Sequence, residues 1–334
     1  MNVKNLESIA RALVVPKKGI LAADESTGTI GKHFDEIGVE NTEVNRQSYR
    51  ELLFTASGIS EYICGVILFD ETLRQSTKDG KKFVDLLRAE NIIPGIKTDK
   101  GPTPYNNSEV ESETKGLDGL AERLKEYYAL GARFAKWRAI YTISDVFPSD
   151  GLIERNAKDL AVYARLCQAE NIVPIVEPEV LMDGAHTIER CFEVTKAVLQ
   201  AVFRELKAEK VYLPGLILKP NMVISGSVCT VQATPAQVAE ETLQCFDEVV
   251  PREVPGIVFL SGGQSERQAC ETLQAIIERA VGKPWPLSFS YGRALQDSAL
   301  KVWQGKEENR VRAQEAFARQ AKRVSEARSG HYKQ

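Results

Sequence analysis

The sequence predicts a closed (β/α)8 barrel, and three observations lead there. Short apolar runs alternate with amphipathic stretches along the whole chain, the pattern of a parallel sheet joined by right-handed crossovers. Eight such runs occur, about 40 residues apart, with no linker between them and no obvious edge strand. The first run leads into Asp24-Glu25-Ser26-Thr27-Gly28 and not into Gly-x-Gly-x-x-Gly, which argues against an open dinucleotide-binding sheet. Length alone suggests about two domains for 334 residues, but a barrel holds as many in one. The chain is therefore read as one catalytic domain, 1–334, with an extended helical C-terminal region from about 295.

The elements follow in order. Leu6, Ile9, Ala10 and Leu13 recur at helical spacing, and Pro16 ends that helix. Residues 19–23 make the first strand, Tyr49, Leu52, Leu53 and Ala56 a helix, and 63–69 the second strand. Phe83, Leu86 and Leu87 lie on a helix before strand three, 92–96, which runs into Lys97. A polar stretch with two prolines, 101–115, reads as a loop. Leu117, Leu120, Ala121, Leu124 and Tyr128 form a helical stripe ahead of strand four, 133–139. A helix marked by Ile153, Ala157 and Leu160 precedes strand five, 172–176, closed by Glu177-Pro178-Glu179. Residues 89–94 and 169–174 nearly repeat one another (AENIIP and AENIVP), as equivalent joints of a cyclic architecture would.

A long helix from Ile188 to Leu206 leads to strand six, 215–218, which ends in Lys219. Thr234-Pro235-Ala236-Gln237 is a capping box with proline at the first helical position. Strand seven, 256–260, is followed by Ser261-Gly262-Gly263-Gln264 and a second capping box, Ser265 to Gln268. Strand eight, 287–291, ends in Gly292-Arg293, and charged helix fills about 294–329.

Composition excludes several classes. With 43% hydrophobic and 27% charged residues and a net charge of −3, the chain offers no overall field for nucleic acid. No run of about 18 apolar residues exists, so no membrane span is expected. Six cysteines form no Cys-x-x-Cys pair and the N-terminus lacks a signal-peptide core, which favours the cytoplasm. Three scattered histidines give a zinc mechanism few ligands, so no metal site is expected.

The chemistry gathers at the carboxyl ends of the strands, where barrels of this kind keep their active sites. Those ends carry Asp24, Lys97, Lys136, Glu177 and Lys219. Lys219 ends a doubly buried strand, where an ammonium ion is costly unless it is paired or gives up its proton. Uncharged, it is a nucleophile for carbonyl carbon; charged, it suits a structural ion pair. Alternation along a strand puts Lys136 on one face with Arg138, and Glu177 with Glu179. A second ammonium nearby favours the neutral amine, and Glu177 suits proton transfer or a plain salt bridge to Lys136. The turns Ser261-Gly262-Gly263 and Ser290-Tyr291-Gly292-Arg293 follow strands seven and eight, the habitual phosphate site of the fold. Lys97 with Ser26 and Thr29 offers a second anion site, which together would suit a sugar phosphorylated at both ends.

The segments LAADESTG (21–28), FAKWR (134–138), IVEPE (175–179), LKPNM (218–222), LSGGQS (260–265) and SYGRALQ (290–296) closely resemble class I fructose-bisphosphate aldolase. The resemblance runs from about Asn5 to Ser329. It implies a cytoplasmic, homotetrameric, metal-free lyase that cleaves fructose 1,6-bisphosphate into two triose phosphates through a covalent Schiff base with its substrate. Carried over by position, Lys219 resembles the Schiff-base lysine, Glu177 the acid/base, and Asp24 and Lys136 their partners. Ser261, Gly262, Gly263, Ser290, Gly292, Arg293, Lys97, Ser26, Thr29, Glu179, Arg138 and Arg46 correspond to substrate- and phosphate-binding positions. Two departures stand out. The family pattern has Lys-Arg where this chain has Lys32-His33, and the family's terminal tyrosine, which helps reprotonate the enamine, has only Tyr332 near its place, so either Tyr332 or, by preference, another group serves that step. Two other readings keep the barrel: a transaldolase-like lyase reusing the same lysine, and a binding protein for the cytoskeleton using the charged helix after Lys306.

Overall fold

The computed structural model describes residues 1–333. Eight parallel strands close on themselves, the first pairing with both the eighth (Ile20 beside Ser290) and the second (Ala22 beside Ile67). In chain order they are Gly19–Ala23, Ile63–Leu68, Ile93–Lys97, Phe134–Tyr141, Val173–Val180, Ile217–Leu218, Ile257–Phe259 and Leu287–Tyr291. Their apolar runs are buried on both faces, against the lumen and against the ring of helices. Two glycines make room for rings on the two faces: a Cβ on Gly95 would stand 2.3 Å from the Phe134 ring, and one on Gly19 2.6 Å from the Phe289 ring. Leu6, Leu13, Phe134, Ile175, Ile217 and Val258 share one core cluster, with the N-terminal helix Val3–Ala12 packed into it.

The structure differs from the sequence reading in three places that matter for the site. Strands four and five run on to Tyr141 and Val180, so Glu177 and Glu179 lie within a strand, opposite Arg138 and Ile140. The stretch expected as a loop holds a short antiparallel hairpin, Pro102–Pro104 with Ser112–Thr114. Thr114 Oγ1 donates to the Arg138 carbonyl, and buried Glu111 accepts from Ser149 N and Oγ, so the second arm of the hairpin is pinned at both of its ends. Finally, Thr27–Asp35 is a helix, capped by Ser26, whose Oγ accepts from Thr29 N at 3.3 Å.

The charged C-terminal helix Arg310–Arg328 is not polar all round, since Ala313, Phe317, Ala321 and Val324 are buried along one stripe. Its last residue, Arg328, is buried and donates to the carbonyls of Val14, Val15, Lys18 and Leu287. Leu287 begins strand eight, so this helix ends at the amino-terminal face of the barrel, away from the mouth.

Candidate active site at the barrel mouth

Four buried charges meet over the barrel: Asp24 and Lys219 just past the ends of strands one and six, Lys136 and Glu177 within strands four and five. Lys219 Nζ lies 2.9 Å from Glu177 Oε1, Glu177 Oε2 lies 3.3 Å from Lys136 Nζ, and Lys136 Nζ lies 2.7 Å from Asp24 Oδ2. Each residue is at most 7% exposed. Two ammonium ions alternate with two carboxylates, which is what makes the burial tolerable. The order follows from the chain: Lys219 extends the short sixth strand, its N–H donating to the Val176 carbonyl at 2.8 Å, which sets it beside Glu177 on strand five. Lys136 is on strand four, and Asp24 reaches it from the end of strand one.

Burial alone would push the Glu177 carboxyl up, but the Lys136 and Lys219 ammonium ions outweigh it and hold the group below its usual range. Asp24 is held low in the same way, against burial, chiefly by Lys136. Burial pushes Lys136 down, yet Asp24 and Glu177 hold it well above the ordinary lysine range. The sign of the stability effect follows. A carboxylate held low stabilises the fold above its unfolded value, about 4, and loses this as pH falls through the folded one. A lysine held high stabilises the fold below about 10.5 and loses this only at still higher pH. Stability from this cluster is therefore expected to be flat from about pH 5 to 10 and to fall below about pH 4, with acid loss reduced in Asp24→Asn relative to its own neutral-pH value, as read by urea melts across pH.

The cluster forms the floor of a cavity of about 840 Å³. On one side Ser261, Gly262 and Gly263 line the cavity, with φ of 55° and 88° at the two glycines, a left-handed turn that glycine takes at no steric cost. Ser290 Oγ is buried there with no partner, an unused hydrogen-bond donor facing the same space. Gly292 opens the helix Arg293–Trp303, and Arg293 projects at the rim. A Cβ at Gly292 would stand 3.3 Å from the Ala22 carbonyl, so the turn presses against strand one. From the end of strand one, Ser26, Thr29 and His33 line the cavity with helix Thr27–Asp35, Ser26 Oγ lying 3.0 Å from Thr29 Oγ1. Lys97 faces them, its ammonium held by the carboxylate of Asp99 and, at 2.9 Å, by the Asp99 carbonyl. Arg138 and Glu179 line the cavity as an ion pair.

Fifteen of the sixteen candidate residues thus meet at one cavity. Arg46 does not: its guanidinium is bound to Glu71 at 2.6 and 2.8 Å and to Asn41, outside the lining. Tyr332 is likewise elsewhere, its N–H donating to Gln274 at 2.7 Å near the amino-terminal face. Tyr332→Phe is accordingly expected to leave turnover within about twofold of the parent in a coupled steady-state assay. Sequence reasoning passed over Asp99 and Glu25. Asp99 stands two residues beyond Lys97 on the same face, and Glu25 directly follows Asp24, so both were visible by spacing alone.

A closed barrel with a buried lysine–carboxylate cluster under a mouth lined by serines, glycine turns and cationic side chains is the layout of a barrel enzyme. The family model for class I fructose-bisphosphate aldolase matches residues 5–334. A "probable fructose-bisphosphate aldolase class 1" from Xanthomonas axonopodis pv. citri is 51% identical over the full length of both chains. The cytoplasmic isozyme of fructose-bisphosphate aldolase from Spinacia oleracea is 53% identical over 98% of this chain and 92% of its own. Fructose-bisphosphate aldolase from Plasmodium falciparum, solved in complex with TRAP and a small-molecule inhibitor, superposes with a TM-score of 0.97. It shares 51% identity over 99% of this chain and 96% of its own. The chain belongs to the class I fructose-bisphosphate aldolase family, lyases that work without a metal ion. Among the described residues, no group of three or more His, Cys, Asp or Glu side chains is arranged to hold a metal, and no helix is long and apolar enough to cross a membrane.

Proposed function

We propose that Lys219 is the nucleophile of this aldol cleavage and Glu177 its acid/base, with Lys136 and Asp24 setting the charge around them. The observation that carries the reading is the 2.9 Å contact between buried Lys219 Nζ and Glu177 Oε1 at the cavity floor. Glu177 is placed to take a proton from Nζ, which leaves an amine free to add to the C2 carbonyl of fructose 1,6-bisphosphate. Returning that proton to the carbinolamine hydroxyl expels water and leaves a protonated imine. The carboxylate so formed takes the C4 hydroxyl proton, the C3–C4 bond breaks, and its electrons move into the iminium to give an enamine. Glyceraldehyde 3-phosphate leaves; protonation at C3 and hydrolysis release dihydroxyacetone phosphate. The Lys136 ammonium, held charged by Asp24, stabilises the negative charge that gathers at C4 oxygen during cleavage.

The turns at Ser261–Gly263 and Ser290–Arg293 take one phosphate, and Ser26, Thr29 and Lys97 the other, with Arg138 and Glu179 between them. His33 stands in the second group, so that end carries a histidine where the family pattern has arginine. The test is hydrogen exchange. In deuterated buffer the protein is expected to exchange one C3 hydrogen of dihydroxyacetone phosphate with no aldehyde present, followed by proton NMR; no exchange would contradict the enamine. The cytosolic and cytoplasmic names of relatives support a cytoplasmic location. A homotetramer follows from the family resemblance and is tested by sedimentation. The Plasmodium enzyme's complex with TRAP supports a protein partner here too.

A further inference from the structure

Asp24 is bracketed by one side chain that the reaction itself does not use. Gln296 is buried, 4% exposed, on the helix Arg293–Trp303. Its Nε2 donates to the Ala22 carbonyl at 2.8 Å and to Glu25 Oε1 at 2.9 Å. The first acceptor lies two residues before Asp24 and the second directly after it. Glu25 is itself fixed from the far side, with Oε2 2.7 Å from Arg50 Nη2 on helix Glu43–Phe54 and Arg50 only 2% exposed. The chain around Asp24 is thus tied on both sides by a single amide, and the outer tie is anchored to a buried guanidinium. The same helix begins at Gly292 and Arg293, at the cavity rim, one turn before Gln296.

We propose that Gln296 is a positioning residue: through Ala22 and Glu25 it holds Asp24 against Lys136. Gln296 does not line the cavity, so it acts through Asp24 and not on the substrate. The proposal rests on the roles given above to Asp24 and Lys136.

A neutral replacement of the same length, Gln296→Met, removes both donors without leaving a buried charge. Loosening Asp24 by a fraction of an ångström leaves substrate binding at the two rims in place and slows the step that needs the Lys136 charge. The expected result is a fall of about tenfold in kcat, with KM for fructose 1,6-bisphosphate within about twofold and a melting temperature within a few degrees of the parent. Gln296→Asn, which keeps the amide but is too short to reach both acceptors, is expected to fall between the two. A kcat within twofold of the parent overturns the proposal, as does a rise in KM at constant kcat. Failure of both variants to fold would make Gln296 a structural clamp and overturn it equally. Loss of the cluster reading itself looks different: the parent protein would then show no C3 exchange, whatever the variants do.

Discussion

Lys219→Ala is expected to lower cleavage of fructose 1,6-bisphosphate by about ten-thousandfold or more. The loss is large because the step removed is covalent. Without Nζ there is no imine, and without the imine the electrons of the C3–C4 bond have no acceptor. The residues proposed to hold the phosphates are untouched by the change, since Ser261, Ser290, Ser26 and Lys97 stand on other strands and turns. Binding of a non-cleavable bisphosphate, measured by calorimetry, should therefore survive. The variant also leaves Glu177 with Lys136 as its remaining cation, at 3.3 Å, so the carboxylate is still paired and the fold should hold. Residual turnover near the parent's would remove Lys219 from the mechanism.

Glu177→Gln is the second large effect, a fall in kcat of about a hundred- to ten-thousandfold. The amide fits the space and can accept a hydrogen bond from Lys219, but it cannot shuttle a proton. Carbinolamine dehydration and C4 hydroxyl deprotonation both need that shuttle, so both slow. The change also leaves two buried ammonium ions, Lys136 and Lys219, against the single carboxylate Asp24. Some loss of stability is expected with it, largest at neutral pH where the parent carboxylate is charged, since burial and the two lysines together leave Glu177 low. Reading kcat on the folded fraction separates the two effects. Glu177→Gln with parental kcat would move the proton transfer to another group.

The barrel was legible because its strands are buried on both faces. Runs such as Ile63–Leu68 and Ile257–Phe259 then have no polar positions to blur the pattern. The same physics explains what was hidden. Strands four and five continue through Arg138, Glu177 and Glu179, whose charges look like a strand's end but are buried in ion pairs. Helix Thr27–Asp35 carries two glycines and two threonines in its first five residues, poor formers on their own, and depends on the Ser26 cap. The hairpin at 102–114 is held by tertiary bonds from Glu111 and Thr114, which no local pattern announces.

Within the site, charges at the close of apolar strand runs were readable because the barrel turns such residues towards one mouth. Asp24, Lys136, Glu177 and Lys219 converge for that reason. Arg46 lies on a helix, where the chain leaves its partner open, and Glu71 claims it. Tyr332 follows a helix whose course is fixed by Arg328 and the carbonyls it binds, a contact across about 300 residues of sequence.

One measurement bears most directly on the amine at the mouth. The protein is mixed with dihydroxyacetone phosphate, reduced with borohydride, digested, and the modified residue located by mass spectrometry. The account predicts a single stable secondary amine, on Lys219, formed at one per chain. Reduction that leaves Lys219 unlabelled while the parent enzyme turns over, or that labels Lys136 in its place, would contradict it.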